Sequence, residues 1–378
     1  MSMAIFSRQE RDRLFPIFKR FIYLNTASTG ILPEVAIAEM EGFLRRYRGE
    51  RIRHDAESFR IIADTREKIA ALTGTSAGRI ALVINTSFGI NVAANGLKVP
   101  PGRAILLAPD EFPANFYPWQ EAARRRGIKF EVLPEPDESL FDRPDAGVIA
   151  VSWVRFFDGF RYDLSRLSDI ARRRGAFLCV DGIQGAGNLA VNLDSLNIAT
   201  FAAGGQKWLL SPYGTGFLYV SPQAPIEPQF VGWLQRFAAD GDYSSLRRYD
   251  LPEPADATRF ELGTLPYHNL WAMWKSVDLL YQIGIGEIEK HNLALAENFA
   301  KSAAEIDGIR VISEDGARRS SIVSITAHNP QALHRHLAEN NIICAFREGN
   351  IRFSFHIYND EEQVEKVVEE IKVWAQKI

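Results

Sequence analysis

The sequence predicts an α/β fold, with a mainly parallel central sheet in a large domain and a small α+β domain at the C-terminal end. From about residue 75 to 220, short apolar runs alternate with helical patterns, which is typical of parallel strands joined by helical crossovers. After residue 267 the pattern changes to long helices, followed by a mixed unit of strands and helices. These two observations predict two lobes of different architecture.

The apolar runs predict the strands of the large domain, and the amphipathic stretches between them predict its helices. The predicted strands are 79–84, 104–108, 129–133, 146–152, 176–181, 199–204 and 216–221. Helices are predicted at "TSFGINVAANGL", around "NFYPWQEAARRRG" and at "LSRLSDIARRRG", the last ended by Gly175. Residues 222–260 are rich in proline and charge without a clear period, so we predict long connecting loops there.

Two long helical patterns, "LWAMWKSVDLLYQIG" and "IEKHNLALAENFAKSAAEI", precede a unit predicted as strand, strand, helix, strand, strand and helix. A chain of 378 residues suits two packed lobes. We therefore assign residues 21–282 to the large domain, and residues 1–20 together with 283–378 to the small domain. We expect the hinge near residues 280–290.

Composition argues against several classes of partner. The formal net charge is −3, which provides no basic field for nucleic acid or for an anionic membrane surface. No apolar run reaches the length of a membrane span, and the N-terminus lacks the apolar core of a signal peptide. Cys179 and Cys344 lie far apart without metal-ligand spacing, which favours a reducing compartment. We expect a soluble cytoplasmic protein that binds no metal.

Two residues in the strand-rich region could carry chemistry. Asp181 ends a predicted strand, where a carboxylate could pair with a cationic ring nitrogen, coordinate a metal or cap the next turn. The absence of a nearby His or Cys cluster opposes the metal. Lys207 lies between apolar runs in "FAAGGQKWLLSPYGTGFLYV", where a desolvated amine could form a Schiff base with an aldehyde. A solvated surface charge is the alternative for this lysine.

Further polar and aromatic residues follow other strand ends. Thr86 and Ser87 lie where a strand meets a helix, so they either bind a phosphate or simply cap the helix. Phe112 could stack on a flat ring or belong to the core, and Gln184 is a neutral donor and acceptor close to Asp181 in sequence. A phosphate site, an aromatic lid, an anion and an amine together match pyridoxal 5′-phosphate.

The run "DGIQGAGNLAVNLDSLNIATFAAGGQKWLLSPYGTGFLYV" resembles the signature of the class V aminotransferase family of fold-type I pyridoxal-phosphate enzymes. That family includes cysteine desulfurases, kynureninase and isopenicillin N epimerase-like proteins. The resemblance extends to "YLNTASTGILP", "NTSFGINVAA", "EFPANFYPWQ", "TRFELGT" and "IRFSFHIYND", and so covers nearly the whole chain. The pattern is nearest to the isopenicillin N epimerase-like branch.

The resemblance implies a role for each matching residue. Lys207 would hold the cofactor as an internal aldimine and move the Cα proton, Asp181 would keep the ring nitrogen protonated, and Gln184 would bond near the phenolic oxygen. Thr86, Ser87 and Gln206 would hold the phosphate. Phe112 would stack on the ring, and Thr264 would reach the phosphate of a neighbouring subunit in a homodimer. The substrate α-carboxylate would bind Arg352 in a pocket lined by Asn25 and Ser28.

The sequence also departs from the desulfurase pattern. Those enzymes have His at the positions of Phe112 and Gln206, and they carry a nucleophilic cysteine on a loop before the carboxylate-binding arginine. Here that stretch, "ICAFREGNIRFS", is short and places Cys344 in a predicted strand. Trp153 stands where desulfurases have an asparagine, so it could form an aromatic wall. Sulfur transfer to a thiol of this chain is therefore not expected.

Three functions remain open from the sequence. The first is an aminotransferase or epimerase acting at Cα of an amino acid. The second is a C–S or C–C lyase of the same family, with Tyr213 or His268 assisting the leaving group. The third is a non-catalytic protein on this fold, which the presence of Lys207 and Asp181 disfavours. Arg347 either faces the substrate or forms an ion pair near Glu348 at the surface.

Overall fold

The computed structural model describes residues 4–50, 55–237 and 246–377. Its N-terminal part contains α1 (Arg8–Leu14), β1 (Ile22–Tyr23), α2 (Glu34–Arg45) and α3 (Asp55–Thr73). Helix α1 begins with a capping box, in which Ser7 and Glu10 satisfy each other's free backbone N–H groups. Arg11 of this helix forms an ion pair with Asp360, so the N-terminal segment is fastened to the C-terminal part of the chain.

The central sheet of the large lobe contains seven strands, which are β2 (Ile80–Leu82), β3 (Ala104–Leu107), β4 (Lys129–Val132), β5 (Ala146–Ser152), β6 (Phe177–Asp181), β7 (Ile198–Gly204) and β8 (Gly216–Val220). Three helices lie between them, namely α4 (Thr86–Gly96), α5 (Pro113–Arg126) and α6 (Leu164–Arg174). Gly127 and Gly175 end α5 and α6 in left-handed conformations, with φ of +64° and +60°.

The strand order is β2–β8–β7–β6–β5–β3–β4, and every neighbouring pair is parallel except the two that involve β8. The strands from β5 to β8 are buried along almost their whole length, and apolar clusters fill the space on both faces of the sheet. A sheet buried on both faces explains the continuous apolar runs of the sequence. The predicted α/β class with a mainly parallel sheet is confirmed.

Two long helices connect the lobes after a short α7 (Trp233–Phe237); they are α8 (Tyr267–Ile283) and α9 (Ile285–Ala304). Gly284, with φ of +88°, separates them inside the range predicted for the hinge. The loop predicted over 222–260 contains α7 and a 3₁₀ turn at Ala257–Phe260, while its residues 238–245 lie outside the described part of the chain.

The C-terminal lobe contains β9 (Ile309–Val311), β10 (Ile322–Ala327), α10 (Pro330–Glu339), β11 (Ile342–Ile343), β12 (Ala345–Arg347), β13 (Asn350–Ser354) and α11 (Glu361–Ala375). Four of its strands form an antiparallel sheet in the order β12–β13–β10–β9, and β11 pairs in parallel with β1. The N-terminal strand thus belongs to a sheet of the C-terminal lobe. The division of the domains at residues 21–282 remains a prediction.

One face of the four-stranded sheet is turned towards the large lobe. The Ser324 hydroxyl on β10 donates to the carbonyl oxygen of Phe157, and the Arg161 N–H donates to the Arg318 carbonyl oxygen at 2.8 Å. The other face packs on α9, α10 and α11 through a separate apolar core. Polar side chains on the first face of β13 therefore meet the loop that follows β5.

Candidate active site

Asp181 lies at the carboxyl edge of the central sheet. It is the last residue of β6, it is level with Ser152 of β5, and it is 2% exposed. Its Oδ1 accepts a hydrogen bond from the Ile183 N–H at 2.9 Å. Burial raises the pKa of Asp181 to about 6, although this hydrogen bond and the charge of Lys207 oppose the shift. A carboxylate in such a place is stabilised by any cation brought to it.

Lys207 follows β7 at the same edge of the sheet. Its Nζ lies 5.7 Å from the centroid of the Phe112 ring. Burial lowers the pKa of Lys207 to about 8, the Asp181 carboxylate opposes this, and the charges of Arg352 and Arg347 add to it. An amine with a pKa near 8 is neutral in about a fifth of the molecules at pH 7.4, far more than for an ordinary lysine, and the neutral form is the nucleophile.

We expect cofactor-free protein to bind pyridoxal phosphate faster as the pH rises, with a midpoint near pH 8 and a plateau above it. The reason is that the neutral amine of Lys207 is the reacting form. An ordinary lysine, with a pKa of 10.5, would need a more alkaline solution. Stopped-flow growth of the visible absorbance, measured between pH 6 and 10.5, gives the midpoint. Asp181→Asn should move this midpoint to lower pH, and a native midpoint near 10 would contradict the assignment.

Thr86 and Gln206 lie together around Gly204, while Ser87 is exposed on the second position of α4. Thr86 Oγ1 accepts a hydrogen bond from the Gly204 N–H at 2.8 Å. A Cβ on Gly204 would lie 3.2 Å from Thr86 Oγ1 and would collide with Gln206 Oε1. The helix cap is Asn85, whose Oδ1 accepts from the Phe88 N–H, so neither hydroxyl is occupied as the N-cap. The exposed start of α4 can therefore hold a phosphate.

Gln184 links three segments of the site. Its Nε2 donates to the carbonyl oxygen of Ala27 at 3.1 Å, and its Oε1 accepts from the Trp208 indole at 2.8 Å. Trp208 is in turn held by His356, whose Nε2 lies 3.0 Å from the Trp208 carbonyl oxygen. These contacts fix the Gln184 amide, and one of its amide hydrogens remains without an acceptor among the described residues.

The structure brings Arg352, Ser28 and Asn25 together. Arg352 is 2% exposed; its Nη2 donates to Ser28 Oγ at 2.7 Å, and its Nη1 donates to the Phe156 carbonyl oxygen. Among the residues that the structure describes, its buried Nε has no partner, and neither does the buried Oδ1 of Asn25. Burial lowers the pKa of Arg352 to about 10, with Arg347 adding to the shift.

Among the described residues, no carboxylate pairs with the Arg352 guanidinium. A buried cation without an opposite charge is costly, and an unsatisfied N–H adds to that cost. The carboxylate of a ligand would remove both costs, because it can accept two parallel hydrogen bonds from a guanidinium. The unpartnered Nε is the observation that best fits a substrate anion at this position.

An aromatic pair forms one wall of the site. Phe112 is 43% exposed and meets Phe156 edge to face, with ring centroids 5.3 Å apart. Trp153, which we expected as this wall, directly follows the last residue of β5, and its ring packs on Gly185 and Phe201 instead. Phe156, rather than Trp153, is therefore the ring that pairs with Phe112.

Glu111 is a second acidic group near the site, and we did not predict it. Its carboxylate accepts hydrogen bonds from the N–H and the hydroxyl of Ser152. Burial raises the pKa of Glu111 to about 7, and the negative charge of Asp181 contributes. The one sequence signal was its place directly before Phe112 at a strand end.

Thr264 lies apart from these groups, exposed in the loop before α8. Its contact with a neighbouring subunit remains a prediction.

Cys179 and Cys344, the two cysteines of the chain, are both buried, and burial raises the pKa of each thiol to about 12. Neither can act as a thiolate nucleophile in this arrangement.

Within the described ranges, no helix has the length and apolar character needed to cross a membrane. The same ranges contain no group of three His, Cys, Asp or Glu side chains placed to hold a metal ion.

The sheet with a lysine, a carboxylate and a helix N-terminus at its carboxyl edge has the fold of the fold-type I pyridoxal-phosphate enzymes. The sequence model of the family described as aminotransferase class-V matches residues 22–367, and the chain belongs to this family. Pyridoxal 5′-phosphate is the cofactor of the family.

Relatives differ in their stated activities. The chain is 28% identical to a probable cysteine desulfurase of Methanothermobacter thermautotrophicus. The alignment covers 97% of this chain and 98% of that protein. The chain is 26% identical to isopenicillin N epimerase of Streptomyces clavuligerus, again over 97% and 98%. The apo structure of a cysteine desulfurase from Thermococcus onnurineus superposes on this chain with a TM-score of 0.87 and 24% sequence identity. The superposition covers 100% of each chain, which shows that the two proteins share a fold.

Proposed function

We propose that the protein is a pyridoxal-phosphate-dependent C–S lyase, which removes the α-proton of a sulfur-containing amino acid and releases the sulfur from Cβ. The proposal that the substrate is an amino acid rests on the buried Arg352. Among the described residues its Nε has no partner and its guanidinium has no carboxylate, and it lies in the same site as Lys207, whose amine has a lowered pKa. The choice of a lyase is supported by the relatives named as probable cysteine desulfurases, and by the shared fold of a structure described as a cystine C–S lyase.

Each residue then has a physical task. The cofactor, when bound, supplies an electron sink for the negative charge that develops at Cα. Asp181 would pair with the ring nitrogen, Thr86 and Ser87 with Gln206 would hold the phosphate, and Phe112 would cover the ring. Arg352 orients the substrate through its α-carboxylate, with Ser28 and Asn25 at the border of the same pocket.

Lys207 accepts the α-proton and can return it to a leaving group or to the product. Its pKa near 8 suits both directions of transfer at neutral pH, because a general base works best when its pKa is close to the pH of operation. Loss of the Cβ–S bond, with the electron pair leaving on sulfur, yields an enamine that hydrolyses in water to a 2-oxo acid and ammonia.

The buried cysteines decide where the sulfur goes. A desulfurase of the kind described above passes sulfur to a nucleophilic cysteine of the enzyme, and this chain offers only Cys179 and Cys344, both inaccessible with raised thiol pKa. We therefore propose that the sulfur leaves as a free thiol or persulfide. Tyr213 stands near the pocket, with its hydroxyl 2.9 Å from Thr29 Oγ1, and it could protonate the departing sulfur.

The test is to incubate the cofactor-loaded enzyme with cysteine, cystine and other S-substituted cysteines, and to measure 2-oxo acid, ammonia and released sulfur together. Equal yields of all three support the lyase, and Cys344→Ala should release sulfur within about twofold of the native rate. Conversion of the cofactor to its amine form without ammonia would replace the lyase by an aminotransferase. Loss of optical activity without release of any product would replace it by an epimerase. Sulfur retained on the protein would contradict the proposal.

A further inference from the structure

Arg347 is a second cation on the face of the small sheet that carries Arg352. In the antiparallel pair β12–β13, Ala345 lies opposite Arg352, and Arg347 lies opposite Asn350. Side chains of directly opposed residues share a face, and residues two apart on a strand share it as well. Arg347 and Arg352 are therefore diagonal neighbours on the face that meets the large lobe.

The opposite face of the same strands supports this orientation. Phe346, between Ala345 and Arg347, packs against the apolar core of the C-terminal lobe, as do Ile351 and Phe353 on either side of Arg352. The strands end in a two-residue turn at Glu348 and Gly349, with φ of +44° and +77°. This tight turn holds Arg347 at the rim, where its side chain is exposed.

Arg347 also acts on the site electrostatically. Its positive charge lowers the pKa of both Lys207 and Arg352, so it lies within electrostatic reach of the two groups. No hydrogen bond or ion pair to its guanidinium occurs within the described ranges, and the surface ion pair near Glu348 is not formed. The site thus contains two unneutralised guanidinium groups, one buried and one at the mouth.

A substrate with one carboxylate neutralises only one of these charges. We propose that Arg347 binds a second anionic group, so that the preferred substrates are amino acids whose side chain ends in an acid group. Under the proposed lyase function, on which this substrate class rests, these are cysteines whose S-substituent carries a carboxylate or another anion. Arg352 takes the α-carboxylate in the interior, and Arg347 takes the distal anion at the rim.

The binding test uses ligands that contain neither an amine nor sulfur, so its result does not depend on the C–S lyase assignment. Succinate and glutarate are compared with butyrate and pentanoate, which have the same chain lengths and a single carboxylate. Affinities are measured on the cofactor-loaded protein by titration calorimetry and by the change in its visible absorbance. Failure of the lyase proposal would appear instead in the product assay above.

We expect Arg347→Gln to weaken dicarboxylate binding about fivefold, which is the range for an exposed ion pair, and to leave monocarboxylate binding within about twofold. The preference of the native protein for dicarboxylates should shrink as salt is added. Arg335→Gln is the matched control, because Arg335 is an exposed arginine of α10 in the same lobe, and it should change neither affinity.

Charge reversal provides a second variant that does not depend on a loss of function. Arg347→Glu should weaken dicarboxylates further than Arg347→Gln does, and should favour 4-trimethylammoniobutyrate, whose quaternary cation cannot form a Schiff base, over butyrate. Equal weakening of mono- and dicarboxylates by Arg347→Gln would show only a general field effect and would overturn the proposal. Unchanged dicarboxylate binding in that variant would overturn it as well.

Discussion

Replacing Lys207 with alanine is expected to abolish the visible absorbance that the protein acquires with pyridoxal phosphate, and to lower turnover by about a thousandfold or more. The reason is that the same amine both binds the cofactor covalently and moves the α-proton. The fold should survive, because burial already disfavours the charged amine at this position. The apo-protein of this variant should therefore melt at or slightly above the native temperature.

Absorption spectra and thermal unfolding curves of the two apo-proteins, before and after addition of cofactor, measure both effects. Lys290→Ala removes an exposed lysine of α9 and should leave the spectrum and turnover unchanged. Lys207→Arg keeps a positive charge but cannot form the linkage, and it should behave as the alanine variant does. A visible band of native intensity in Lys207→Ala would place the linkage on another lysine.

Replacing Arg352 with glutamine is expected to lower kcat/KM by about a hundredfold, which corresponds to about 3 kcal/mol, with most of the loss in KM. The substrate carboxylate loses a charged, bidentate partner, while the chemistry at Lys207 is preserved. Because Nη1 of Arg352 also donates to the Phe156 carbonyl oxygen, part of the loss will come from looser contact between the lobes.

Two controls separate these contributions. Ser28→Ala removes the hydroxyl that Arg352 Nη2 contacts but keeps the charge, and it should cost less than tenfold in kcat/KM. Added guanidinium ion should restore part of the activity of Arg352→Gln if the missing charge is the cause. An unchanged KM in Arg352→Gln would remove this residue from the substrate site.

The sequence predicted those parts of the fold and site that depend on local pattern. Continuous apolar runs identified β5, β6 and β7, and the rule that ligands lie beyond the carboxyl ends of strands directed attention to Asp181. The antiparallel direction of β8 was not predicted, because an apolar run has the same pattern in either direction. The alternative that Thr86 or Ser87 only caps α4 is wrong, because Asn85, an equally good capping residue, is the N-cap.

Other parts of the site depend on contacts between distant segments, which no single stretch reveals. Arg352 was identified only through the family resemblance, and its unpartnered Nε became visible only in three dimensions. Phe156 belongs to a pair of phenylalanines that suggest core in a sequence, yet its backbone oxygen binds Arg352 and its ring meets Phe112. The Trp153 ring packs on Gly185 and Phe201, which belong to other segments, so its position does not follow from the sequence around it.

The close approach of Gly30 to Lys207 has a consequence for biosynthesis. A Cβ on Gly30 would collide with the Lys207 carbonyl oxygen. Ser28, which comes shortly before Gly30, contacts Arg352, although the two residues are 324 positions apart in the chain. The pocket is thus lined by residues from widely separated parts of the chain. A nascent chain that has exposed Lys207 but not yet Arg352 still lacks the proposed substrate anchor, so productive ligand binding begins only once Arg352 has also left the ribosome.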